Sequence, residues 1–177
     1  VNSVINILKS LTDGFNKDKE IFLQGITVCE DDNNITLVDG QQRTTFFYLL
    51  LKYLNFNGHF SIHYAVREQS DTFLKSFAVA DVLNEGYAQL EDEEFQDIYF
   101  FKKSIFIIEK HLKNIDKTVF LKYVLSKVRF LYISIPEEKA TIIFSMMNGN
   151  KAQMLNEELS KSELLRSASL TSEHSLI

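Results

Sequence analysis

A nearly uncharged stretch constrains this chain more than any other feature of its sequence. Residues 44–54 read TTFFYLLLKYL, and Lys52 is their only charged residue. At the 3.6-residue period of a helix these apolar side chains point in every direction, which is typical of a helix buried on most sides. The sequence therefore predicts a central helix from Gln41 to about Leu54. At 177 residues, the chain is long enough to pack a core around it.

The polar residues in front of this helix form a strand-to-helix junction. A β-prone run, NITLVD at 34–39, ends at Asp39 and is followed by Gly40, so a strand passes directly into the helix. Arg43 then falls in the first turn, where unpaired amides give the helix end a partial positive charge. An arginine there costs about 0.3–1 kcal/mol unless a negative group answers it. We therefore expect an anion close to Arg43.

Two kinds of anion satisfy this expectation. In the first, the phosphates of a ligand bind: Gly40 lets the backbone approach closely, the amides of residues 41–43 point at the oxygens, and Arg43 grips two of them. In the second, Asp39 is the helix N-cap and Gln42 completes a capping box, so that the anion is Asp39 itself. The paired glutamines and threonines of QQRTT slightly favour the ligand.

The loss of Arg43 has opposite effects in the two cases. If Arg43 serves a ligand, Arg43→Gln stabilises the empty protein by a few tenths of a kcal/mol up to about 1. If Arg43 instead forms a buried pair with Asp39, Glu157 or Glu158, its removal leaves a carboxylate unpaired and costs several kcal/mol.

The remaining pattern predicts an α+β fold, a helix-rich single domain with a small mixed β-sheet. Amphipathic or capped stretches predict further helices at 1–15, 70–83, 91–113, 117–128, 136–148 and 153–168. The helix at 70–83 is expected to start at a Ser/Asp cap, and the helix at 136–148 to start with Pro136. β-prone runs predict strands at 21–30, 34–39, 59–66 and 129–135, the first two joined as a hairpin. We expect the domain to span residues 1–168 and residues 169–177 to be a polar tail.

Charge is unevenly distributed along the chain. The net charge is −5, which argues against wholesale wrapping of nucleic acid. Seven acids and no bases lie between Asp81 and Phe100, whereas 102–129 carries eight bases and two acids, a local charge of +6. These segments are typical of helix faces that attract one another. The other interpretation makes 102–129 a basic surface for DNA or for an acidic partner.

Neither the cysteine nor the histidines suggest a site of their own. The single cysteine, Cys29, excludes an internal disulfide and lies in an apolar run, where we expect a small core residue. His59 and His63 would lie about 13 Å apart along one strand, too far to share a metal ion. No apolar run reaches the roughly 18 residues of a membrane span. We expect a cytoplasmic protein with no membrane partner.

Two motifs resemble the N-terminal domain of the GmrSD family of modification-dependent restriction proteins. The first is the junction in FLQGITV…ITLVDGQQRTTFFYLLL, since Asp-Gly-Gln-Gln-Arg is that family's hallmark. The second is FSMMNGNKAQMLNEELSKSELL, in which Phe144, Asn148, Glu158 and Lys161 match a family pattern without gaps. The motifs lie about a hundred residues apart, and the resemblance spans most of the chain.

The resemblance implies a ParB/sulfiredoxin-like fold and a nucleotide site. Its members are described as nucleotide-hydrolysing, DNA-restricting proteins, so it implies a nucleoside triphosphate with Mg²⁺ as the ligand, modified DNA as a further partner, and a nuclease domain or subunit. By position, the phosphate-site and supporting residues would be Gly40, Gln41, Gln42, Arg43, Thr45, Asn148 and Lys161. Asp39 and Glu158 would hold the metal ion or orient water, which makes them the expected catalytic residues.

Several departures from the family pattern set limits on this expectation. Phe46 replaces a threonine of the junction, and Asn150-Lys151 replaces the Arg-Gly that normally ends the asparagine turn. We expect the chain to begin after an upstream Tyr-Gln-Arg stretch of the family and to lack the nuclease domain that often follows. The leading hypothesis is a regulatory nucleotide-binding domain, with hydrolysis by this chain left open. The alternative is a DNA-recognition or assembly module that uses 102–129, with an architectural junction.

Overall fold

The computed structural model describes residues 2–31, 34–65 and 67–148, apart from the side chains of Asp92, Met147 and Asn148. Within these ranges the fold is α+β, rich in helix and with a small mixed sheet, as the sequence predicts. Backbone contacts divide the chain into two compact units. Among the described residues, the first unit takes those within 2–26 and 40–133, and the second takes those within 27–39 and 134–148.

Helices dominate the first unit. Its helices are α1 (Asn2–Asn16), α2 (Gln41–Tyr53), α3 (Glu68–Ser76), α4 (Val79–Glu85), a 3-10 turn (Tyr87–Asp92), α5 (Gln96–Leu112) and α6 (Lys117–Lys127). As predicted, α2 is buried on most sides, and its buried side chains are Thr45, Phe46, Phe47, Tyr48, Leu49, Leu50 and Tyr53. α2 packs against α5, α1 packs against α5 and α6, and buried side chains of these four helices belong to one core. The polar first turn of α2 is the part of this helix that reaches the surface most fully, since Gln41 and Gln42 are exposed.

Three strands form the sheet in the order β2-β1-β3. They are β1 (Ile21–Glu30), β2 (Ile35–Asp39) and β3 (Val128–Ser134). β1 and β2 pair antiparallel, with Thr27 opposite Asp39 and Glu30 opposite Ile35, so the predicted hairpin is confirmed. Leu131 lies against Gly25, and further along the Ile135 amide donates to the Val28 carbonyl, so β3 runs parallel to β1.

The second unit contains the end of β1, all of β2 and α7 (Glu137–Asn148), which packs against β2. Cys29 is a buried core residue here, as expected from its apolar strand. α7 begins one residue after Pro136, so the proline precedes the helix instead of opening it. The predicted helix at 153–168 and the polar tail at 169–177 lie outside the described residues.

The predicted strand at 59–66 is wrong. Its described residues, 59–65, form no strand, although Phe60, Ile62 and Tyr64 do pack against the core as their alternation suggests. A β-strand forms backbone hydrogen bonds to a neighbouring strand. In this segment the Tyr64 amide donates instead to a side chain, the Asp71 carboxylate, at 3.0 Å.

Two predicted helices have different boundaries. The helix expected at 70–83 is two helices, because Phe77 and Ala78 are extended and separate α3 from α4. Ser70 and Asp71 do not cap it; they lie inside α3, where they bond to groups on other segments. The helix expected from residue 91 begins at Gln96 instead, since 87–92 form a 3-10 turn and Glu93 pairs with Lys102.

Candidate functional site

The junction before α2 depends on the backbone of Gly40. Gly40 is the N-cap residue, with φ 91° and ψ 10°, in the left-handed region that favours glycine. A Cβ atom built on Gly40 would lie 2.7 Å from Cγ2 of Ile26, in β1. The close neighbour of this glycine is therefore a strand of the protein's own sheet. The sequence interpretation, in which Gly40 admits a ligand, overlooked this contact, and the ligand itself stays a prediction.

The capping-box hypothesis is wrong. The helix begins at Gln41, so Gly40 and not Asp39 occupies the N-cap position, and Gln42 is the second helical residue, not the third. A glycine has no side chain with which to cap the amides of the first turn. No acidic residue lies in that turn either, so nothing among its own side chains offsets the positive end of the helix.

Arg43 reaches back to β1. Its Nη1 donates to the carbonyl oxygens of Gln24, at 2.8 Å, and of Gly25. The sequence analysis expected an anion to stabilise the charge of Arg43. The dipoles of these two carbonyls provide at least part of that stabilisation. These bonds tie the first turn of α2 to the strand, a role that neither alternative for Arg43 included.

Thr45, the predicted supporting hydroxyl, is buried. Its Oγ1 donates to the Gln41 carbonyl at 2.9 Å and lies 2.8 Å from the Tyr64 hydroxyl. Burial is the main reason why the pKa of Tyr64 is raised, and the hydrogen bond to Thr45 opposes that rise. Phe46, the departure from the family pattern, lies in the core at 3% exposure.

A polar cluster holds the segment that carries Tyr64. The buried carboxylate of Asp71 receives the Tyr64 amide, the Lys75 ammonium at 2.5 Å, and lies 2.6 Å from Nδ1 of His63. Its pKa is lowered to about 2, chiefly by Lys75 and then by the Tyr64 amide. Sequence reasoning missed this cluster. The only signal was the short spacing of one histidine and one aspartate, which is too common to single them out.

The structure covers part of the predicted site. Gln41 and Gln42 are exposed at the start of α2, and Arg43 and Thr45 follow them on the same turn. Asp39 is the last residue of β2. The Asn148 side chain, Glu158 and Lys161 lie outside the described residues, so the predicted second cluster stays a prediction.

In the described part of the chain, the two best-formed cavities do not coincide with the junction, and no cluster of metal-binding side chains is present. No group of three or more His, Cys, Asp or Glu side chains within it is placed to hold a metal ion. Two shallow cavities, of about 450 and 310 Å³, lie along α3 and at the start of α5, and no residue of 39–45 lines either one.

Much of the basic segment 102–129 is engaged within the fold. Lys102 bridges Glu85 and Glu93, both in the acidic segment, so the predicted attraction between the two segments is present. Four further bases have described partners, namely Lys103 with Tyr99, Lys117 over the Tyr53 ring, Lys127 with Asp18 and Arg129 with Glu20. The other bases of the segment, Lys110, Lys113 and Lys122, are exposed.

No helix in the described ranges is long and apolar enough to cross a membrane. Searches of curated proteins and of solved structures found no match to the chain. The ParB/sulfiredoxin likeness therefore stays a prediction. The family model of the GmrSD restriction endonuclease N-terminal domain matches residues 2–165, a span that includes the junction and the second motif. The chain therefore belongs to the family of GmrSD restriction endonuclease N-terminal domains and is part of a restriction and phage-defence protein.

Proposed function

We propose that this domain binds the phosphate groups of a nucleotide at the first turn of α2. One observation carries the proposal: a helix buried on most sides presents an exposed first turn that has a glycine N-cap, no acidic residue and an arginine. Such a turn has a positive electrostatic potential and backbone amides directed outward, which is a suitable arrangement for an anion.

In this proposal, different residues of the turn contact the phosphates and hold the turn in place. The backbone amides of 41–43 and the exposed side chain of Gln42 contact phosphate oxygens. Arg43 holds the turn against β1 through the Gln24 and Gly25 carbonyls and adds positive charge beside the ligand. The metal ligands implied by the resemblance, Asp39 and Glu158, belong to the same proposal and would hold the Mg²⁺ that accompanies a triphosphate.

At the level of the whole protein, nucleotide binding would regulate restriction. In this proposal the domain reports nucleotide binding, or hydrolyses the nucleotide, and a nuclease domain or subunit cuts modified DNA. A triphosphate at a helix start is a plausible trigger, because its γ-phosphate can hold a segment that is released after hydrolysis.

Isothermal titration of the chain with the Mg²⁺ complexes of ATP, GTP, CTP and UTP tests the proposal. The key variant is Gln42→Glu, which places a carboxylate in the first turn of α2. Gln96→Glu is the matched control, because Gln96 is an exposed first-turn glutamine of α5. An acid in a first turn stabilises a helix by about 0.3–1 kcal/mol, so both variants should unfold at slightly higher denaturant than wild type.

We expect wild type and Gln96→Glu to bind at least one nucleotide with equal affinity, and Gln42→Glu to lose at least tenfold through repulsion of the phosphates. If wild type gives no binding heat with any of the four nucleotides, the proposal is wrong. Equal affinity of all three proteins would place the nucleotide elsewhere.

A further inference from the structure

Tyr64, a partly buried residue packed against the core, contacts the start of α2. Its hydroxyl lies 2.8 Å from Oγ1 of Thr45, which is 7% exposed, and its ring packs edge-on against Phe101 of α5. The Thr45 hydroxyl also bonds to the Gln41 carbonyl, and Gln41 is the first residue of the helix. A chain of two hydrogen bonds therefore connects Tyr64 to the residue at which α2 begins.

The direction of these bonds follows from the number of protons. The single Thr45 hydroxyl proton is donated to the Gln41 carbonyl, so the Tyr64 hydroxyl must donate to Thr45 Oγ1. This requires a neutral phenol. The raised pKa of Tyr64, which is due first to burial, keeps the phenol protonated at neutral pH.

Tyr64 is in turn held by Asp71. Residues 59–65 have no strand partner, and the Tyr64 amide donates instead to Asp71 at 3.0 Å. The same carboxylate contacts His63 and Lys75, so it is fixed from three sides. A carboxylate on a side chain that is 12% exposed, with three polar contacts, is a rigid anchor for the segment.

We infer that Tyr64 is a positioning residue for the first turn of α2, and that Asp71 sets the position of Tyr64. The Tyr64 hydroxyl holds Thr45, Thr45 holds the Gln41 carbonyl, and the amides of the turn take their direction from that carbonyl's peptide. The consequence for ligand affinity rests on the phosphate site proposed above, whereas the positioning itself does not.

Hydrogen exchange of individual amides by NMR tests the positioning without a ligand. Thr44 is the reporter, because its amide donates to the Gly40 carbonyl at 2.9 Å and closes the first turn of α2. Tyr64→Phe should speed Thr44 exchange about fivefold relative to the α5 core amides, the ratio expected for one lost hydrogen bond. Asp71→Asn should act in the same direction.

Tyr48→Phe is the matched control. It removes the hydroxyl of a buried tyrosine of α2 that donates to the Leu74 carbonyl, and Tyr48 lies outside the first turn of that helix. We expect this variant to leave the Thr44 ratio unchanged. Thr45→Val should reproduce the effect of Tyr64→Phe, Thr45→Ser should restore the wild-type ratio, and Tyr64→Phe combined with Thr45→Val should add little to either change.

An unchanged Thr44 ratio in Tyr64→Phe, or additive effects in the double variant, would overturn the inference. Titration with Mg-nucleotide is a separate arm, in which Tyr64→Phe should weaken binding several-fold and Tyr48→Phe should not. If wild type binds no nucleotide, the proposed function fails while the exchange data still decide the positioning role.

Discussion

Single residues at the junction are constrained by the protein itself as well as by any ligand. Gly40 must adopt a positive φ and must also leave room for Ile26. Arg43 joins the helix start to the Gln24 and Gly25 carbonyls. A motif that indicates ligand binding can thus also be required for folding. Variants must therefore distinguish an effect on stability from an effect on ligand binding.

Gly40→Ala should destabilise the protein by about 2 kcal/mol or more. A left-handed backbone costs an alanine roughly 1–2 kcal/mol, and the contact of its Cβ with Ile26 adds to this cost. Urea unfolding measures the effect. Ile26→Ala removes the Cγ2 atom in question, so the double variant should lose less stability than the sum of the two single variants. Strict additivity would show that the contact with Ile26 does not matter.

Arg43→Gln should destabilise the protein without nucleotide by about 1 kcal/mol. The change removes charge-assisted bonds to two carbonyls, but solvent access reduces their contribution below that of fully buried bonds. This value lies between the gain expected if Arg43 serves only a ligand and the several kcal/mol expected for a buried ion pair. Arg43→Lys, which keeps the charge without the planar guanidinium, should recover part of the loss. A more stable Arg43→Gln protein would contradict the bonding to β1.

Acid should remove the contribution of Asp71 between about pH 4 and pH 2. Its pKa is lowered from 3.8 to about 2, so its contribution is fully present above the unfolded value and is lost as pH falls through the folded one. Denaturant midpoints of wild type and Asp71→Asn, measured from pH 7 to pH 2, should therefore differ most above pH 4 and converge toward pH 2. A constant difference would mean that the carboxylate charge is not what stabilises this site.

At the scale of elements, local sequence patterns predicted which side chains of a segment are buried better than they predicted which other segment it contacts. The period and apolarity of 44–54 were sufficient for α2, and the β-prone runs at 21–30 and 34–39 were sufficient for the hairpin. The strand predicted at 59–66 is absent over 59–65, although Phe60, Ile62 and Tyr64 contact the core, because no local signal reports whether a neighbouring strand exists. Asp71 resembled a helix cap, and Glu93 was expected within the helix from residue 91, yet each is used in a tertiary contact that depends on the folded chain.

Lys102 shows how a basic segment can be structural. Its side chain is 18% exposed and bridges Glu85, at the end of α4, and Glu93, before α5. Burial lowers the pKa of Lys102, but the two carboxylates outweigh this effect and raise it. Lys102→Met should destabilise the protein by about 1–2 kcal/mol because two carboxylates lose their partner. Lys110→Met is the control, since Lys110 is exposed on the same helix and its loss should change stability by less than about 0.5 kcal/mol. Equal effects in thermal melts would contradict the bridge.

At the scale of the molecule, the charge distribution limits what this chain can do by itself. The net charge is −5, and five of the eight bases in 102–129 have described partners within the fold. The exposed Lys110, Lys113 and Lys122 are few for a surface that must hold a duplex. Family membership connects the chain to restriction, but these three lysines alone are a weak basis for holding DNA.

We therefore expect the chain alone to bind a 20-base-pair duplex only weakly, with a Kd near the 10⁻⁴ M end of the range for non-specific binding, roughly 10⁻⁴–10⁻⁶ M at physiological salt. Three lysines on phosphates would give a slope of log K against log salt of about −3, and fluorescence anisotropy at several salt concentrations measures it. Combined Lys110→Glu, Lys113→Glu and Lys122→Glu changes should abolish this weak binding and leave nucleotide affinity unchanged, because none of these lysines lies at the first turn of α2. The opposite outcome is tight, steeply salt-dependent binding of DNA that disappears in the triple variant but persists in Gln42→Glu. It would identify the basic segment 102–129 as the DNA-binding surface and the junction as a structural element.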